Sequence, residues 1–425
     1  MDRSLLEEMR FQKLKTLLIH AQREIPFYSR RFEEAGFDPQ TMRSTDEIAK
    51  LPLLTKSEIR NHLNEMIWKD CPGGLFRYNT GGSSGEPLIF YFDKMRQAYD
   101  KAARMLTHRW WGIDVGEKEL YLWGSPVEIT KQDRLKSLRD RLTNELLLSA
   151  FDVSPVEVPR MVATLRKFRP ACVFGYPSTI ALFCKFAEEK GLILSDTGVR
   201  VVFSTAEVLY EHQRKAISEA FGGVPVADGY GSREGGFISH QCREGAYHVI
   251  DPNYVIEYLK DGEPVAPGED GEIVITHLDA FGMPFIRYRT GDVARCGEDN
   301  CPCGRTWSTM SHIQGRTTDF IVSPDGRWQH ALSLIYIVRD IEGVKEFKII
   351  QEAVDEIRVL LEVHVGLYPQ NGDERIVAGF QKRVGDGVKI IIEKVHAIPR
   401  DASGKYRYVV SKVAEKGLQG CTGRI

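Results

Sequence analysis

Short apolar runs that alternate with helical stretches in the first half of the chain limit its fold more than any other feature. The runs at 120–123, 171–176 and 199–204 have the length and the apolar content of buried strands. The helical patterns between them cover about 156–168, 178–190 and 210–221. Because strands that alternate with helices pair mainly in parallel, we predict an α/β architecture with a parallel-rich sheet.

The segments on either side of this α/β region have different patterns. Residues 1–70 carry apolar positions at helical spacing, so we expect a helical N-terminal segment. Between 246 and 290, short apolar runs are separated by turns rich in glycine and proline, which predicts a β-rich subdomain. Its strands are expected at 255–259, 271–275 and 285–288.

The last hundred or so residues follow a third pattern, which is typical of a small α+β domain. Helices are predicted at about 330–341 and 370–384, and strands at 345–351, 355–364 and 388–395. We therefore predict a large N-terminal domain over 1–316 and a small, mobile C-terminal domain over 317–425, with a hinge near 315–325.

Composition and charge exclude several classes of function. Of the 425 residues, 42% are apolar and 27% are charged, which is ordinary for a globular protein. The net charge is −2 and there is no basic stripe, so nucleic acid is not expected as a partner. No apolar run is long enough to span a bilayer, and the N-terminal segment is charged. We therefore predict a cytoplasmic protein whose eight cysteines are mostly reduced.

A loop of glycine and hydroxylated residues precedes an apolar, β-type run that ends at Phe92. The glycines let the backbone approach a ligand closely, and the hydroxyl and backbone N–H groups can donate hydrogen bonds to phosphate oxygens. The loop therefore predicts a polyphosphate site. Its residues are Thr80, Gly81, Gly82, Ser83, Ser84 and Gly85.

Other interpretations compete for this loop. It lacks the Gly-Lys-Ser/Thr of a Walker loop and the spacing of a dinucleotide fingerprint. It does contain Gly-x-Ser-x-Gly, the nucleophile elbow of serine hydrolases, with Ser83 as the nucleophile. However, Pro87 and a β-type run follow where the elbow requires a helix. A plain hairpin turn on the surface is the remaining alternative.

Two further blocks place acidic residues beside glycines. In Ala227-Asp-Gly-Tyr-Gly-Ser-Arg-Glu-Gly-Gly236, Tyr230 offers a flat face for stacking and Glu234 offers an oxygen ligand for Mg²⁺. In Tyr288-Arg-Thr-Gly-Asp292, the carboxylate of Asp292 can accept hydrogen bonds from two vicinal ribose hydroxyls. The alternatives are a solvated glutamate on a turn and a capping aspartate.

Two basic residues near the C-terminal domain complete the candidate site. Arg316, in Gly315-Arg316-Thr-Thr-Asp319, could reach phosphate or ribose. Lys405 ends Ile398-Pro-Arg-Asp-Ala-Ser-Gly-Lys405 and follows a glycine turn. Its ammonium group could supply a point charge to a developing oxyanion, although a lone exposed lysine is usually only solubilising.

Three cysteines and a histidine form a candidate metal site. Cys301 and Cys303 share one loop, and Cys242 and His248 lie in the same β-rich region. Three thiols and one imidazole are a normal tetrahedral set for structural Zn²⁺. Because the C-x-C spacing is tighter than the usual C-x₂-C, reduced surface cysteines are the alternative.

Five motifs follow one another along the chain: the loop at 80–85, the blocks at 227–236 and 288–292, and the segments that carry Arg316 and Lys405. In this order they resemble the core motifs of the acyl-adenylate-forming superfamily over nearly the whole chain. The runs TGGSSGEP and YGSREGG are most similar to the phenylacetate–coenzyme A ligase family. The LWGSP run at 122–126 and the N-terminal runs IPFYSRRF and LPLLTKSEI resemble the capsular polysaccharide biosynthesis, or CapK-like, branch of that family.

This resemblance implies that ATP activates a carboxylic acid as an acyl adenylate, which then forms a thioester with coenzyme A. It also implies a role for each block. Thr80 to Gly85 would hold the β- and γ-phosphates, and Asp228 to Tyr230 with the adjacent Gly231 would lie against adenine. Glu234 would bind Mg²⁺ and Asp292 would bind ribose. Arg316 would sit near ribose and phosphate, and Lys405 would stabilise the adenylating transition state. Candidates for the acyl pocket, for each of which core packing is the alternative, are Trp123, Gly124, Ser125, Phe174, Gly175, Tyr176 and Pro177.

The chain departs from the family pattern at two positions. Glu86 stands where many relatives carry a lysine, and Asp319 stands near the expected hinge residue. Three alternatives therefore remain open: transfer of the acyl group to an amine, a sugar or a carrier protein in polysaccharide biosynthesis, hydrolysis at Ser83, and a non-catalytic scaffold. A homodimer is one assembly state that we consider.

Overall fold

The computed structural model describes most of the chain in two compact units, with the main boundary between Ile313 and Gln314. The predicted domain boundary after Arg316 lies close to this division. The described residues are 2–79, 88–123, 144–150, 153, 155–297, 301–316, 320–324, 328–330, 332–339, 341–364, 366–398 and 408–413.

The large unit begins with helices, as predicted. Asp2 caps the first helix by accepting a hydrogen bond from the backbone N–H of Ser4, and the helix buries Leu14, Leu17 and Leu18. The helices of this segment are α1 (Arg3–Glu24), α2 (Pro26–Glu34) and α3 (Lys56–Asn61), with 3₁₀ helices at Thr45–Lys50 and Leu63–Glu65. A two-stranded hairpin follows, formed by β1 (Phe76–Asn79) and β2 (Ile89–Phe92), and then α4 (Lys94–Arg109).

A twelve-stranded sheet forms the centre of this unit, and one half of it is parallel. The parallel strands run in the order β4-β3-β5-β6-β7. They are β3 (Glu119–Trp123), β4 (Glu145–Ser149), β5 (Cys172–Gly175), β6 (Val201–Thr205) and β7 (Val226–Ser232). The helices between them are α5 (Val158–Phe168), α6 (Pro177–Glu189) and α7 (Glu211–Ala220). The predicted α/β alternation is confirmed.

Beyond β7 the sheet becomes largely antiparallel, which is the predicted β-rich part. The strands continue in the order β7-β8-β9-β14-β13-β12-β10-β11. Their bounds are β8 (Gly236–Gln241), β9 (Tyr247–Val249), β10 (Tyr254–Lys260), β11 (Glu263–Pro264), β12 (Asp270–His277), β13 (Tyr288–Cys296) and β14 (Thr309–Arg316).

The small unit is an α+β domain around a four-stranded sheet of order β19-β18-β17-β20. Its central pair is antiparallel, and the two outer strands pair in parallel with their neighbours. The elements are β15 (Phe320–Val322), β16 (Trp328–His330), α8 (Leu332–Arg339), β17 (Val344–Ala353), β18 (Glu356–Val363), α9 (Gly372–Val384), β19 (Lys389–Lys394) and β20 (Val409–Ser411). A mixed α/β protein with a small C-terminal domain was predicted and is confirmed.

Apolar clusters on the two sides of the sheet support the large unit, and two of them are extensive. One lies between the N-terminal helices and the antiparallel strands and includes Phe32, Phe90 and Tyr288. The other packs α5, α6 and α7 against the parallel strands and includes Val202 and Ile217. Among the residues that the model describes, no helix combines the length and the apolar character that crossing a membrane requires.

The strand predicted at 285–288 is wrong in its position, because strand β13 only begins at Tyr288. Arg287 has a φ of +53°, a left-handed conformation that a strand cannot continue through. Its buried guanidinium donates hydrogen bonds to Glu257 and to the carbonyl oxygens of Ala49 and Leu51. The chain therefore turns here to satisfy a buried charge.

The capping box of α3 yields a prediction about stability. The Thr55 side chain accepts from the Glu58 N–H, and the Glu58 carboxylate accepts from the Thr55 N–H. We expect Thr55→Ala to lower the free energy of unfolding by about 1 kcal/mol, because the Glu58 N–H loses the Thr55 hydroxyl as its acceptor. Urea denaturation measures this. Thr164→Ala, at a partly exposed position in the interior of α5, is the matched control and should change stability by less than about 0.5 kcal/mol. Equal effects would contradict the capping role.

Candidate active site

The candidate site lies where the large sheet changes from parallel to antiparallel pairing. Parallel strands β3, β5, β6 and β7 end at one edge, and β7 turns there into the antiparallel β8. Crevices at the carboxyl ends of such strands are where open α/β sheets bind ligands. Directly after β6, Ala206 has a φ of +69°, a strained value for a residue with a Cβ.

Asp228 lies on β7 inside a buried polar network. Its carboxylate accepts hydrogen bonds from Ser204 Oγ and Tyr247 OH, both at 2.6 Å. Its backbone N–H donates to Gln241 Oε1 at 3.0 Å. Burial raises the pKa of Asp228 to about 6, against the opposing effect of the two hydroxyl groups. The Asp228 side chain is therefore engaged in hydrogen bonds to the neighbouring strands β6 and β9. If this segment contacts adenine as predicted, its backbone would make the contact.

Tyr230 and Asp292, predicted for the adenine and the ribose, are brought together across the sheet. The Tyr230 hydroxyl donates to Asp292 Oδ2 at 2.8 Å. Burial and the nearby Asp292 carboxylate raise the pKa of Tyr230, so it stays a hydrogen-bond donor. The Asp292 backbone N–H donates to Thr290 Oγ1 at 3.0 Å. Two blocks that are distant in sequence thus form one polar cluster.

Packing against the adjacent strand also favours glycine at positions 229 and 231 of β7. A Cβ built on Gly231 would lie 2.3 Å from the carbonyl oxygen of Gly236, because the two strands are bulged between Tyr230 and Gly231. A Cβ on Gly229 would lie 3.1 Å from the His240 ring. At Gly231 the missing side chain therefore makes room for the adjacent strand.

Glu234 sits in the turn between β7 and β8, with only 3% of its surface exposed. Its Oε1 accepts from the Tyr288 hydroxyl at 3.2 Å and lies 3.6 Å from Lys56 Nζ. Lys56 reaches this point because Leu54 pairs with Tyr288, through the Leu54 N–H to Arg287 O and the Arg289 N–H to Leu54 O. The N-terminal segment thus supplies a positive charge to a buried carboxylate, which offsets part of its desolvation.

Helix α4 holds the same turn from another side. The fully buried Arg96 donates to the carbonyl oxygen of Glu234 at 2.6 Å, and its guanidinium lies over the Phe92 ring at 3.7 Å. Asp100, one turn later, accepts from the Phe237 N–H and the Tyr254 hydroxyl. Glu234 is therefore held by backbone and side-chain contacts from three separate elements.

Several of the predicted residues lie beyond what the structure describes. The phosphate loop from Thr80 to Gly85 and the C-terminal Lys405 are both outside the described residues. The flanking strands β1 and β2 pair antiparallel, and Arg233 donates to the carbonyl oxygen of Asn79, where β1 ends, at 3.1 Å. Arg316 ends β14, and its side chain is not described. The roles of these residues stay predictions.

Aromatic residues cover the ends of β3 and β5, where the acyl pocket was predicted. Trp123 and Tyr176 stack at 4.2 Å between ring centroids, and Phe174 lies 5.7 Å from Trp123. Pro177 is the first residue of α6. Of the other candidates, Gly175 packs against the Leu122 carbonyl, whereas Gly124 and Ser125 are outside the described residues.

The predicted zinc residues form a cluster. One ligand atom from each of Cys242, His248, Cys301 and Cys303 lies within 4.8 Å of all the others. Cys303 Sγ is 3.2 Å from His248 Nε2, and Cys242 Sγ is 3.7 Å from Cys301 Sγ. His248 Nδ1 lies 3.2 Å from the carbonyl oxygen of Trp307, a contact that leaves Nε2 for a metal. Burial lowers the pKa of His248 and so favours the neutral, metal-binding imidazole.

The sequence analysis missed four residues that shape this site: Lys56, Arg96, Asp100 and the hydroxyl of Tyr288. Lys56 and Tyr288 do lie in runs that the sequence analysis quoted. Their contact with Glu234 depends on long-range strand pairing, which leaves no local pattern. Arg96 resembles any helical arginine until its helix is packed.

The comparisons with known proteins agree with this architecture. Residues 321–412 match the family model of the CapK C-terminal domain. A phenylacetate–coenzyme A ligase of Thermus thermophilus is 24% identical over 96% of this chain and 97% of its own length. Protein CapK of Staphylococcus aureus is 24% identical over 96% of this chain and 90% of its own.

A solved structure gives the same result for the fold. The crystal structure of a 2-hydroxyisobutyryl–coenzyme A ligase with a bound acyl-AMP superimposes with a TM-score of 0.77, covering 98% of this chain and 91% of that one at 20% identity. The family resemblance and the adenylate-forming fold that the sequence predicted are thereby confirmed.

The raised pKa of Asp228 yields a prediction with a definite sign. The unfolded carboxyl group titrates near 3.8 and the folded one near 6, so only the folded state holds this proton between them. The contribution of Asp228 to stability therefore falls as pH rises from about 4 to about 6 and is constant above that. Asp228→Asn stays neutral, so its stability relative to the wild type should rise by about 2–3 kcal/mol over this range.

Urea denaturation at a series of pH values between 4 and 7 checks this expectation. Asp196→Asn, at an exposed ion pair with Arg166, is the matched control and should show little pH dependence relative to the wild type. A stability difference between Asp228→Asn and the wild type that does not vary with pH would show that the carboxyl group is not protonated by burial.

Proposed function

We propose that this chain, a homologue of the phenylacetate–coenzyme A ligases and of CapK with the fold of the adenylate-forming enzymes, activates a carboxylic acid with ATP. The carboxylate would attack the α-phosphate, giving an acyl adenylate and releasing pyrophosphate. The thiol of coenzyme A would then attack the acyl carbonyl and displace AMP. The observation that carries the proposal is the polar cluster of Tyr230, Glu234 and Asp292 at the edge where the sheet changes from parallel to antiparallel pairing, in a chain that matches such ligases over most of its length.

Each residue of the cluster has a part in this proposal. Tyr230 would stack near adenine while its hydroxyl orients the Asp292 carboxylate toward the ribose hydroxyls. The Thr80–Gly85 loop would bind the β- and γ-phosphates, and Arg316 would sit near ribose and phosphate. Lys405 would stabilise the charge that develops during adenylation. Catalysis would rest on position and charge, without a covalent nucleophile.

Glu234 fits the requirement for Mg²⁺. Magnesium is commonly bound in proteins by one or two carboxylates together with substrate phosphates, so a single glutamate suffices. The buried Glu234 carboxylate already attracts the ammonium group of Lys56 to 3.6 Å, which indicates a position that favours a cation. When bound, the metal would neutralise phosphate charge, and Tyr288 would hold the carboxylate in place.

The acceptor of the acyl group has a second candidate besides coenzyme A. The relative CapK and the matching C-terminal family model keep transfer to an amine, a sugar or a carrier protein as the second candidate. The described strands argue against the serine hydrolase alternative, because the next described element after Ser83 in the sequence is strand β2, whereas an elbow needs a helix there. A cytoplasmic location and a homodimer stay predictions.

A substrate screen tests the function directly. Purified protein is incubated with Mg·ATP and a panel of aryl and alkyl carboxylic acids, and AMP and pyrophosphate are measured. We expect release that depends on both ATP and one class of acid, and added coenzyme A should raise the AMP yield. Hydrolysis of acyl esters without ATP would instead favour the hydrolase.

Lys405 should separate the two half-reactions. We expect Lys405→Ala to lower acid-dependent ATP–pyrophosphate exchange by about 10²–10³-fold, because the charge on the adenylating transition state loses its partner. Thioester formation from a preformed acyl adenylate should survive. Lys412→Ala, at an exposed ion pair with Glu352, is the control and should leave both rates near wild type. Equal loss of both half-reactions would contradict a role of Lys405 that is confined to adenylation.

We also propose that Cys242, His248, Cys301 and Cys303 hold a structural Zn²⁺, which their donor types and spacing fit. Elemental analysis of purified protein should give close to one zinc per chain. Cys301→Ser should lose most of it, whereas Cys71→Ser, outside the cluster, should retain it. Zinc content that Cys301→Ser leaves unchanged would rule out these ligands.

A further inference from the structure

The hairpin of β8 and β9 has two faces with different contacts. Gln241 and Tyr247 lie directly opposite each other in its register. Both reach Asp228: Gln241 Oε1 accepts the Asp228 N–H at 3.0 Å, and the Tyr247 hydroxyl donates to Asp228 Oδ2 at 2.6 Å. Successive residues in a strand point to opposite faces. The next residue on each arm, Cys242 or His248, accordingly belongs to the thiol cluster.

A short turn joins the two arms of this hairpin. The Cys242 N–H donates to Ala246 O at 2.9 Å, and the Gly245 N–H donates to Cys242 O at 3.0 Å. The Gln241 amide also donates to Gly245 O at 3.2 Å. Strand β9 has only three residues. A bond from both arms to a common ion would fix their spacing more firmly than these few hydrogen bonds do.

The Asp228 end of this arrangement borders the nucleotide site. Thr205 Oγ1 donates to the carbonyl oxygen of Gly229, the next residue on β7, at 2.7 Å. The residue after that, Tyr230, bonds to Asp292. If Asp228 lost the Tyr247 hydroxyl, its buried carboxyl group would keep only one of its two hydroxyl donors, Ser204, and the segment of β7 that carries Gly229 and Tyr230 would have to adjust.

We propose that a Zn²⁺ ion in the Cys242–His248–Cys301–Cys303 cluster sets the position of Gln241 and Tyr247 on Asp228, and thereby controls the affinity of the site for ATP. The proposal rests on the proposed nucleotide-binding function. Gln241 and Tyr247 act as positioning residues, and the metal acts through them without touching the nucleotide. The loop with Cys301 and Cys303 contributes by tying the hairpin to the segment before β14.

A double-mutant cycle on binding of Mg·ATP tests this coupling, with no need to know the acid. Calorimetric titration gives the Kd for the wild type, Cys301→Ser, Tyr247→Phe and the double variant, and elemental analysis gives their zinc content. Tyr247→Phe should keep its zinc and bind Mg·ATP about tenfold more weakly, because a hydrogen bond to a charged group is lost. Cys301→Ser should lose zinc and weaken binding to a similar extent.

The double variant should bind Mg·ATP with about the affinity of the single variant that binds it more weakly. Both substitutions disrupt the same link between the metal cluster and Asp228, so their effects should not add. The proposal would be overturned if the two losses of Mg·ATP affinity multiplied in the double variant. It would also be overturned if zinc-free Cys301→Ser bound Mg·ATP like the wild type. Cys71→Ser is the matched control and should change neither quantity.

Reversible metal removal covers the case in which Cys301→Ser does not fold. Wild-type protein is treated with a chelator, freed of it by gel filtration, and titrated with Mg·ATP before and after Zn²⁺ is restored. Affinity should fall about tenfold without zinc and recover with it. Unchanged affinity would overturn the coupling alone. A zinc-loaded wild type that does not bind Mg·ATP at all would overturn the proposed function and this inference with it.

Discussion

Three buried carboxyl groups, on strands β7 and β13 and on the β7–β8 turn, take their partners from several separate elements of the large unit. Asp228 takes hydroxyl groups from β6 and β9, Glu234 takes Tyr288 and Lys56, and Asp292 takes Tyr230. A buried charge without partners costs several kcal/mol, so these contacts constrain where the strands and the N-terminal segment can lie. The same constraint concentrates acidic groups at the edge where a nucleotide and its metal would bind.

The N-terminal helical segment is part of this site as well as a cover for the apolar core. Leu54 pairs with Tyr288 through an isolated parallel β-bridge, and the capping box that follows starts α3 at Lys56. Because the cap fixes the direction of the helix, it also fixes the point from which Lys56 extends toward Glu234. Local helix chemistry thus determines where a positive charge is delivered to the β7–β8 turn.

Much of the fold could be predicted from the sequence because its signals are local. The strands at 119–123, 172–175 and 201–205 and the helices between them follow from apolar periodicity, which needs no knowledge of distant residues. The shift of β13 could not be foreseen, because Arg287 adopts a left-handed conformation to reach Glu257 and two carbonyl groups far away in sequence. The Cys242–His248–Cys301–Cys303 cluster was predictable only in part. The sequence shows the four donors, but only folding brings their ligand atoms within 4.8 Å of one another.

The sequence by itself determined the chemical types at the site, namely the glycine blocks, the acidic residues and the thiols, and it determined the α/β class through its periodicity. It did not determine which of these groups are already used by the protein itself. Only the tertiary structure showed that Asp228 is engaged by Ser204 and Tyr247, that Gly231 is required by the adjacent strand, and that Lys56 and Arg96 hold Glu234. The physical reason is that burial and long-range pairing decide which polar groups meet, and neither leaves a periodic trace along the chain.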